Sequence, residues 1–205
     1  MPQMSSIGAR GASPNARVAE SMYAAPMSDD LAWRLGARHP GHDYKIFRTE
    51  RRDGTNPRTG ATTRFSLIEA GDWVNVIALT TGGEVVMLRQ YRPGIDRVCL
   101  EIPGGMIEPG EDPVAAGLRE LAEETGYTGG AAELIGKVAP NPAIQNNTLY
   151  TVLVTGVALT QPPAPDPGEV LAMHTSPLSE VTRQIRDGEI EHALVVVAFA
   201  HLAFR

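Results

Sequence analysis

Glu120, Glu123 and Glu124 are spaced i, i+3, i+4, and no other feature constrains this chain as tightly. On an α-helix those positions share one face. Three carboxylates crowded there repel one another, so the helix is penalised unless a cation sits among them. Oxygen-only ligands suit Mg²⁺, with Mn²⁺ as the alternative. An ion of that kind keeps several waters and also binds substrate phosphates.

The residues before the trio read as a loop that docks a helix. Pro103-Gly104-Gly105 and Pro109-Gly110 forbid regular structure and permit sharp turns. Asp112 is a good N-cap, Pro113 suits the first helical position, and Gly126 suits a left-handed C-terminal position. The spacing predicts a helix from Pro113 to about Thr125, with Ala115, Leu118, Leu121 and Ala122 as its apolar stripe. Arg119, a cation among carboxylates, is expected to pair with Glu111 and fix the loop against the helix.

The bland alternative is a solvated acidic helix face. The context overturns it. Gly105 to Tyr127 fits G-x5-E-x7-R-E-U-x-E-E-x-G-U, with U a bulky apolar or aromatic residue, at every position. At ordinary composition a chance match in a chain of this size falls below roughly one in a million. The segment resembles the signature of the Nudix hydrolases. Leu100 to Gly105 and Arg89-Gln90-Tyr91-Arg92 extend the likeness toward members that cleave ADP-ribose and other nucleoside diphosphate sugars.

That resemblance implies a Mg²⁺-dependent pyrophosphohydrolase acting on a small nucleotide substrate. It implies Glu120, Glu123 and Glu124 as metal ligands, with Arg119 and Glu111 completing the catalytic group. The carbonyl of Gly104 is implied as a further ligand, and Arg92 as a contact to substrate phosphate. Arg89 lies three residues from Arg92, so the two need not share a strand face, and Arg89 reads as the more structural. Gly105, Asn146, Asn147 and Glu191 complete the substrate-side candidates. The family places a water-activating glutamate near Asn147, and Asn cannot act as a base. Either Glu120 or Glu123 serves, or another carboxylate such as Glu191 or Glu111 reaches in. Asn146 and Asn147 contact a sugar or phosphate on one reading and stabilise their own loop on the other. His192 reads either as a phosphate contact or as a packing residue.

The chain has 205 residues, 42% of them hydrophobic and 20% charged, which fits one good-sized globular domain with an added arm. A net charge of −6 argues against sequence-independent binding of nucleic acid. Cys99 is the single cysteine, and its apolar neighbours suggest a buried small hydrophobe. His39, His42, His174 and His201 are too scattered for a zinc site. No apolar run approaches a membrane span and no secretory core opens the chain, so a cytoplasmic location is the default expectation.

The predicted organisation is α/β. Residues 1–27 form a flexible extension, 28–70 a small antiparallel β arm, and 71–205 the catalytic domain. A short helix is expected over 28–36, capped by Ser28. Strands follow, one opened by Tyr44, Ile46 and Phe47 and another near Thr62 to Ile68, with Asp53-Gly54 and Asn56-Pro57 in the loop between. Val74–Thr80 and Val85–Gln90 read as a hairpin across Gly82-Gly83. Further strands are expected at Val98–Ile102, Ala132–Val138, Thr148–Val157 and Glu169–Thr175, and helices from Pro177 to Arg186 and from Glu189 to Leu202. This mixture fits a layered αβα sandwich with a mixed sheet. The family likeness implies an arm exchanged within a homodimer, against the alternative of an arm that extends the monomer's own sheet. Two other functions compete with sugar-diphosphate hydrolysis. One is hydrolysis of (d)NTPs or oxidised nucleotides, disfavoured by the arm. The other is nucleotide sensing, disfavoured by the intact acidic motif.

Overall fold

The computed structural model describes residues 31–205; the expected extension over 1–27 and the cap at Ser28 lie outside them. The described chain divides into two compact units, residues 31–38 with 52–65 and residues 39–51 with 66–205.

A three-stranded sheet takes the order β1 (Arg34–Asp43), β2 (Phe47–Thr55), β3 (Thr62–Ala70). The helix expected over 28–36 is not continued here, since Arg34 onward is strand. Gly36, Pro40 and Gly41 suit an edge strand far better than a helix interior. Asp53-Gly54 belongs to β2 rather than to a loop. A Cβ on Gly54 would meet the Phe65 ring at 2.6 Å, so glycine is there to let the ring lie across the strand. Trp33 packs edge-on against that same ring, with centroids 5.1 Å apart.

The larger unit is built on an eight-stranded mixed sheet. Its strands are β4 (Trp73–Thr80), β5 (Glu84–Arg92), β6 (Arg97–Glu101), β7 (Gly104–Met106), β8 (Tyr127–Thr128), β9 (Ala131–Val138), β10 (Leu149–Leu159) and β11 (Leu171–Pro177). The helices are α1 (Pro113–Thr125), α2 (Leu178–Arg186) and α3 (Ala193–Ala203). β10 runs parallel to β4, and the other pairings are antiparallel.

Strand alternation explains the layers. Along β4, Val74, Val76 and Ala78 pack with Ala116 and Leu121 of α1, whereas Ile77 packs with Val181 of α2 and Val195, Ala198 and Phe199 of α3. β10 repeats the split, with Val152 and Val154 toward α1 and Leu153 toward α2 and α3. Each fully buried Val or Leu contributes about 1.5–3 kcal/mol. The αβα sandwich follows from two apolar sheet faces, each covered by helix.

α1 has the expected ends. Asp112 Oδ1 accepts from the N–H groups of Val114 and Ala115, and Gly126 closes the helix at φ 74°. Its inner face differs from the expected stripe: Ala115 and Leu118 are exposed, while Ala116, Gly117, Leu121 and Glu124 are buried. Gly117 decides the rotation. A Cβ there would sit 3.1–3.4 Å from the methyls of Val76, Val74 and Val152, so α1 lies down on the sheet at its narrowest residue. The last helix starts four residues later than expected, because the N–H groups of Glu189 and Ile190 bond back to Gln184 O and His192 is extended.

Candidate active site

β4 and β5 pair at the hairpin end, through Leu79 and Val85, and then part. Beyond the fork β5 pairs with β6, β4 pairs with β7, and the peptide between crosses over, with Pro103 O accepting from Val76 N at 2.8 Å. The fork brings the ends of four strands against the acidic face of α1. A cavity of about 790 Å³ opens there.

Glu120, Glu123 and Glu124 all line it, as do Gly104, Gly105, Arg92 and Arg119. Glu124 is 4% exposed, and its Oε2 accepts from Gly104 N at 2.9 Å. Burial pushes its carboxyl up to about 8, and the nearby Glu120 and Glu169 add to the rise. Burial likewise raises Glu120, against the opposing pull of Arg119. A Cβ on Gly105 would meet the Glu120 carboxylate, so any larger residue there would displace that side chain.

Arg119 organises the rest. Its Nε and Nη2 donate to the two oxygens of Glu111, each at 3.0 Å, and Nη2 also reaches Met106 O at 3.1 Å. Nη1 donates to Glu120 at 2.9 Å and Glu123 at 3.1 Å. Glu111 also accepts from Glu108 N at 2.9 Å. Arg119 thus pins the loop to the helix, and its hydrogen bond holds the Glu111 carboxyl below its ordinary value. Glu111 does not line the cavity, and its oxygens accept from Arg119 and Glu108 N.

The other sequence candidates divide. Arg92 faces the cavity; Arg89 is exposed and does not line it. Asn147 is 3% exposed and donates to Gly71 O at 3.1 Å, while Asn146 accepts from Ala70 N at 3.1 Å. Neither lines the cavity, so these two side chains tie their own loop to the β3–β4 connection. Glu191 is held by Arg97 at 2.8 Å and also stands outside the cavity lining.

Sequence reasoning missed Glu101, Glu108, Asp166, Glu169 and Trp73, all of which line the cavity. Glu169 ends the Pro162–Pro167 loop, where strand was expected to begin; β11 starts only at Leu171. The loop is docked on α1 by a 2.7 Å bond from Ala164 N to Glu123 O, which carries Glu169 to the carboxylates. The available signal was a carboxylate closing a proline run too stiff to be a passive linker.

The residues fit a divalent cation. Glu101, Glu108, Glu120, Glu123, Glu124, Asp166 and Glu169 face only Arg92, Arg119 and a half-buried His192. The carboxylates outnumber the cations on that wall, and every ligand-type donor among them is oxygen. Among the described residues no three such side chains already converge into a cage, because Arg119 draws Glu120 and Glu123 to itself.

An anionic oxygen wall thus lies on a capped helix, under a glycine loop and over a forked mixed sheet. Residues 71–198 match the NUDIX domain, and the chain belongs to that family. Relatives include the mouse ADP-sugar pyrophosphatase, 39% identical over 54% of this chain and 54% of that protein. Another is the Bacillus subtilis ADP-ribose pyrophosphatase, 26% identical over 71% of this chain and 80% of its own. The chain thus matches about half the length of the mouse protein. A solved ADP compounds hydrolase superposes with a TM-score of 0.73 at 19% identity, covering 83% of this chain and 92% of that one, and shares the fold.

Proposed function

We propose that this protein is a Mg²⁺-dependent hydrolase, with Mn²⁺ as a substitute, that cleaves the pyrophosphate bond of nucleoside diphosphate sugars. ADP-ribose is the leading substrate, and the products are a nucleoside monophosphate and a sugar phosphate. The observation that carries this reading is one cavity that joins the carboxylates and Arg92 to the apolar side chains of Ile46, Trp73, Met106 and Leu194. A diphosphate needs the first part and a nucleoside the second. The names of the mouse and Bacillus subtilis relatives point the same way.

Glu120, Glu123, Glu124 and the Gly104 carbonyl would hold the ion. When bound, it supplies charge neutralisation for the phosphate oxygens and a water of lowered pKa. Arg92 adds charge to the diphosphate, and Arg119 holds Glu120 and Glu123 in place. Glu169, on its stiff loop beside Glu120 and Glu124, accepts the proton from the attacking water. Water oxygen bonds to one phosphorus, and the bridging oxygen leaves with the other phosphate.

The deciding experiment is a Mg²⁺-dependent release assay, resolving products by chromatography. The panel is ADP-ribose, ADP-glucose, GDP-mannose, UDP-glucose, NADH, diadenosine polyphosphates and 8-oxo-dGTP. AMP and ribose 5-phosphate should appear fastest from ADP-ribose. Turnover confined to 8-oxo-dGTP or other triphosphates would replace this reading with nucleotide cleansing.

The protein is further proposed to be a cytoplasmic homodimer. No described helix is long and apolar enough to cross a membrane. β1 lies at the edge of its sheet with nearly every residue exposed, a ready template for a second chain. Sedimentation at micromolar concentration should give twice the chain mass; a monomer there would dismiss the dimer.

A further inference from the structure

Glu101 faces the cavity at 3% exposure, and the hydrolysis proposed above makes no use of it. A carboxylate that deep is costly unless its oxygens are satisfied by a cation. Arg92 satisfies them side-on: Nε donates to Oε1 at 2.7 Å and Nη2 to Oε2 at 2.6 Å. This bidentate fork fixes the guanidinium plane as well as its position.

The strand register shows what the fork does. Arg92 stands opposite Arg97 across the β5–β6 pair, whereas Glu101 stands opposite Leu88, four residues back toward the sheet. Arg97 is more exposed and pairs with Glu191. Arg92 instead lies back along its strand into the cavity, and Glu101 holds it there. Only part of its five N–H groups is used, and 41% of the side chain remains accessible.

His192 closes the other side. Its Nδ1 is 3.6 Å from Glu101 Oε2, buried and without a hydrogen-bond partner. Burial lowers the pKa of this ring, so at neutral pH it is uncharged and does not compete with Arg92 for the carboxylate.

We propose that Glu101 is a positioning residue that aims the Arg92 guanidinium at the substrate diphosphate, with His192 as the wall behind it. The inference rests on the hydrolase reading for its substrate and on the strand fork for its geometry. It makes Arg92 a pre-set clamp rather than a mobile surface charge, so Glu101 acts on phosphate binding through Arg92 alone.

The test is a double-mutant cycle on the full-length protein, read by kinetics with ADP-ribose and by calorimetry with inorganic pyrophosphate and Mg²⁺. Glu101→Gln should raise KM and weaken pyrophosphate binding about tenfold while kcat changes less than about threefold. Glu101→Asp, which keeps the charge but withdraws it by one methylene, should fall between. Once Arg92→Ala is present, adding Glu101→Gln should cost no more than about twofold further. Circular dichroism checks folding, and Glu101→Asp carries the cycle if the Gln variant does not fold. An unchanged KM in Glu101→Gln overturns the proposal. So does a second tenfold loss on top of Arg92→Ala, which would mean that Glu101 touches substrate or ion directly. A wild-type protein inactive on every sugar diphosphate would sink the hydrolase reading instead, while the pyrophosphate cycle would still report on Glu101.

Discussion

Glu124→Gln should lower kcat/KM by roughly a thousandfold or more at saturating Mg²⁺, with the fold intact. Glu124 is the most buried of the three helix carboxylates, and that burial raises its carboxyl to about 8. Gln has the same length and shape. Its amide oxygen can still accept the 2.9 Å bond from Gly104 N, so the loop keeps its anchor. What is lost is the negative charge, which an oxygen-bound divalent ion needs and a helix face does not. Activity and stability should therefore move in opposite directions: turnover collapses while the melting temperature of the metal-free protein is unchanged or higher near pH 8. Glu123→Gln tests the same idea at a more exposed position, where the carboxylate is 48% accessible and shared with Arg119. Steady-state kinetics with ADP-ribose and thermal melts decide the matter. Wild-type turnover in Glu124→Gln would dismiss the ligand assignment.

Local rules carried the site's centre because everything there is close in sequence. Asp112, Pro113 and Gly126 mark the two ends of α1, and the carboxylates sit one turn apart between them. The rotation of α1 was less legible. Ala115 and Leu118 fit an apolar stripe by periodicity, but the sheet accepts the helix only at Gly117, and the three valines that decide this come from β4 and β10. β1 was hidden for another reason: Arg34–Asp43 shows no alternation, because an exposed edge strand has no buried face to write into the sequence. The missed cavity residues are long-range in the same way. Trp73 reaches the site by register with Met106, Glu101 by the fork between β4 and β5, and Glu169 by a proline loop docked on the end of α1. Each depends on a pairing that no single segment specifies. Asn147 had two readings in sequence; in the structure it serves its own loop, donating to Gly71 O while Thr148 N donates to Asp72 Oδ1 at 2.7 Å at the start of β4.

Without divalent ions, the Glu124 carboxyl should make the protein less stable as pH rises from about 5 to about 8, and Mg²⁺ should reverse the trend. In the unfolded chain this group titrates near 4.5, whereas burial holds it near 8 in the native state. Between those values the native state keeps a proton that the unfolded state has released. The contribution is therefore fully present below about 4.5 and is lost as pH climbs through 8. Glu120, also raised by burial, works in the same direction. Two effects oppose it. His192 is lowered by burial, so its protonation in the unfolded state removes stability on the acid side of about 6.5. The lowered Glu111 loses its stabilising contribution only in more acid solution. Subtracting Glu124→Gln melts from wild-type melts at each pH cancels both and leaves the Glu124 contribution, expected to reach several degrees by pH 8. A cation at this carboxylate favours its ionised form, so the melting gain from Mg²⁺ or Mn²⁺ should grow with pH and be nearly absent in Glu124→Gln. Calorimetry in two buffers of different ionisation enthalpy should register proton release on metal binding at pH 7. Equal pH slopes for wild type and Glu124→Gln, or a metal gain that ignores pH, would show that this carboxylate neither stays protonated in the metal-free fold nor meets the ion.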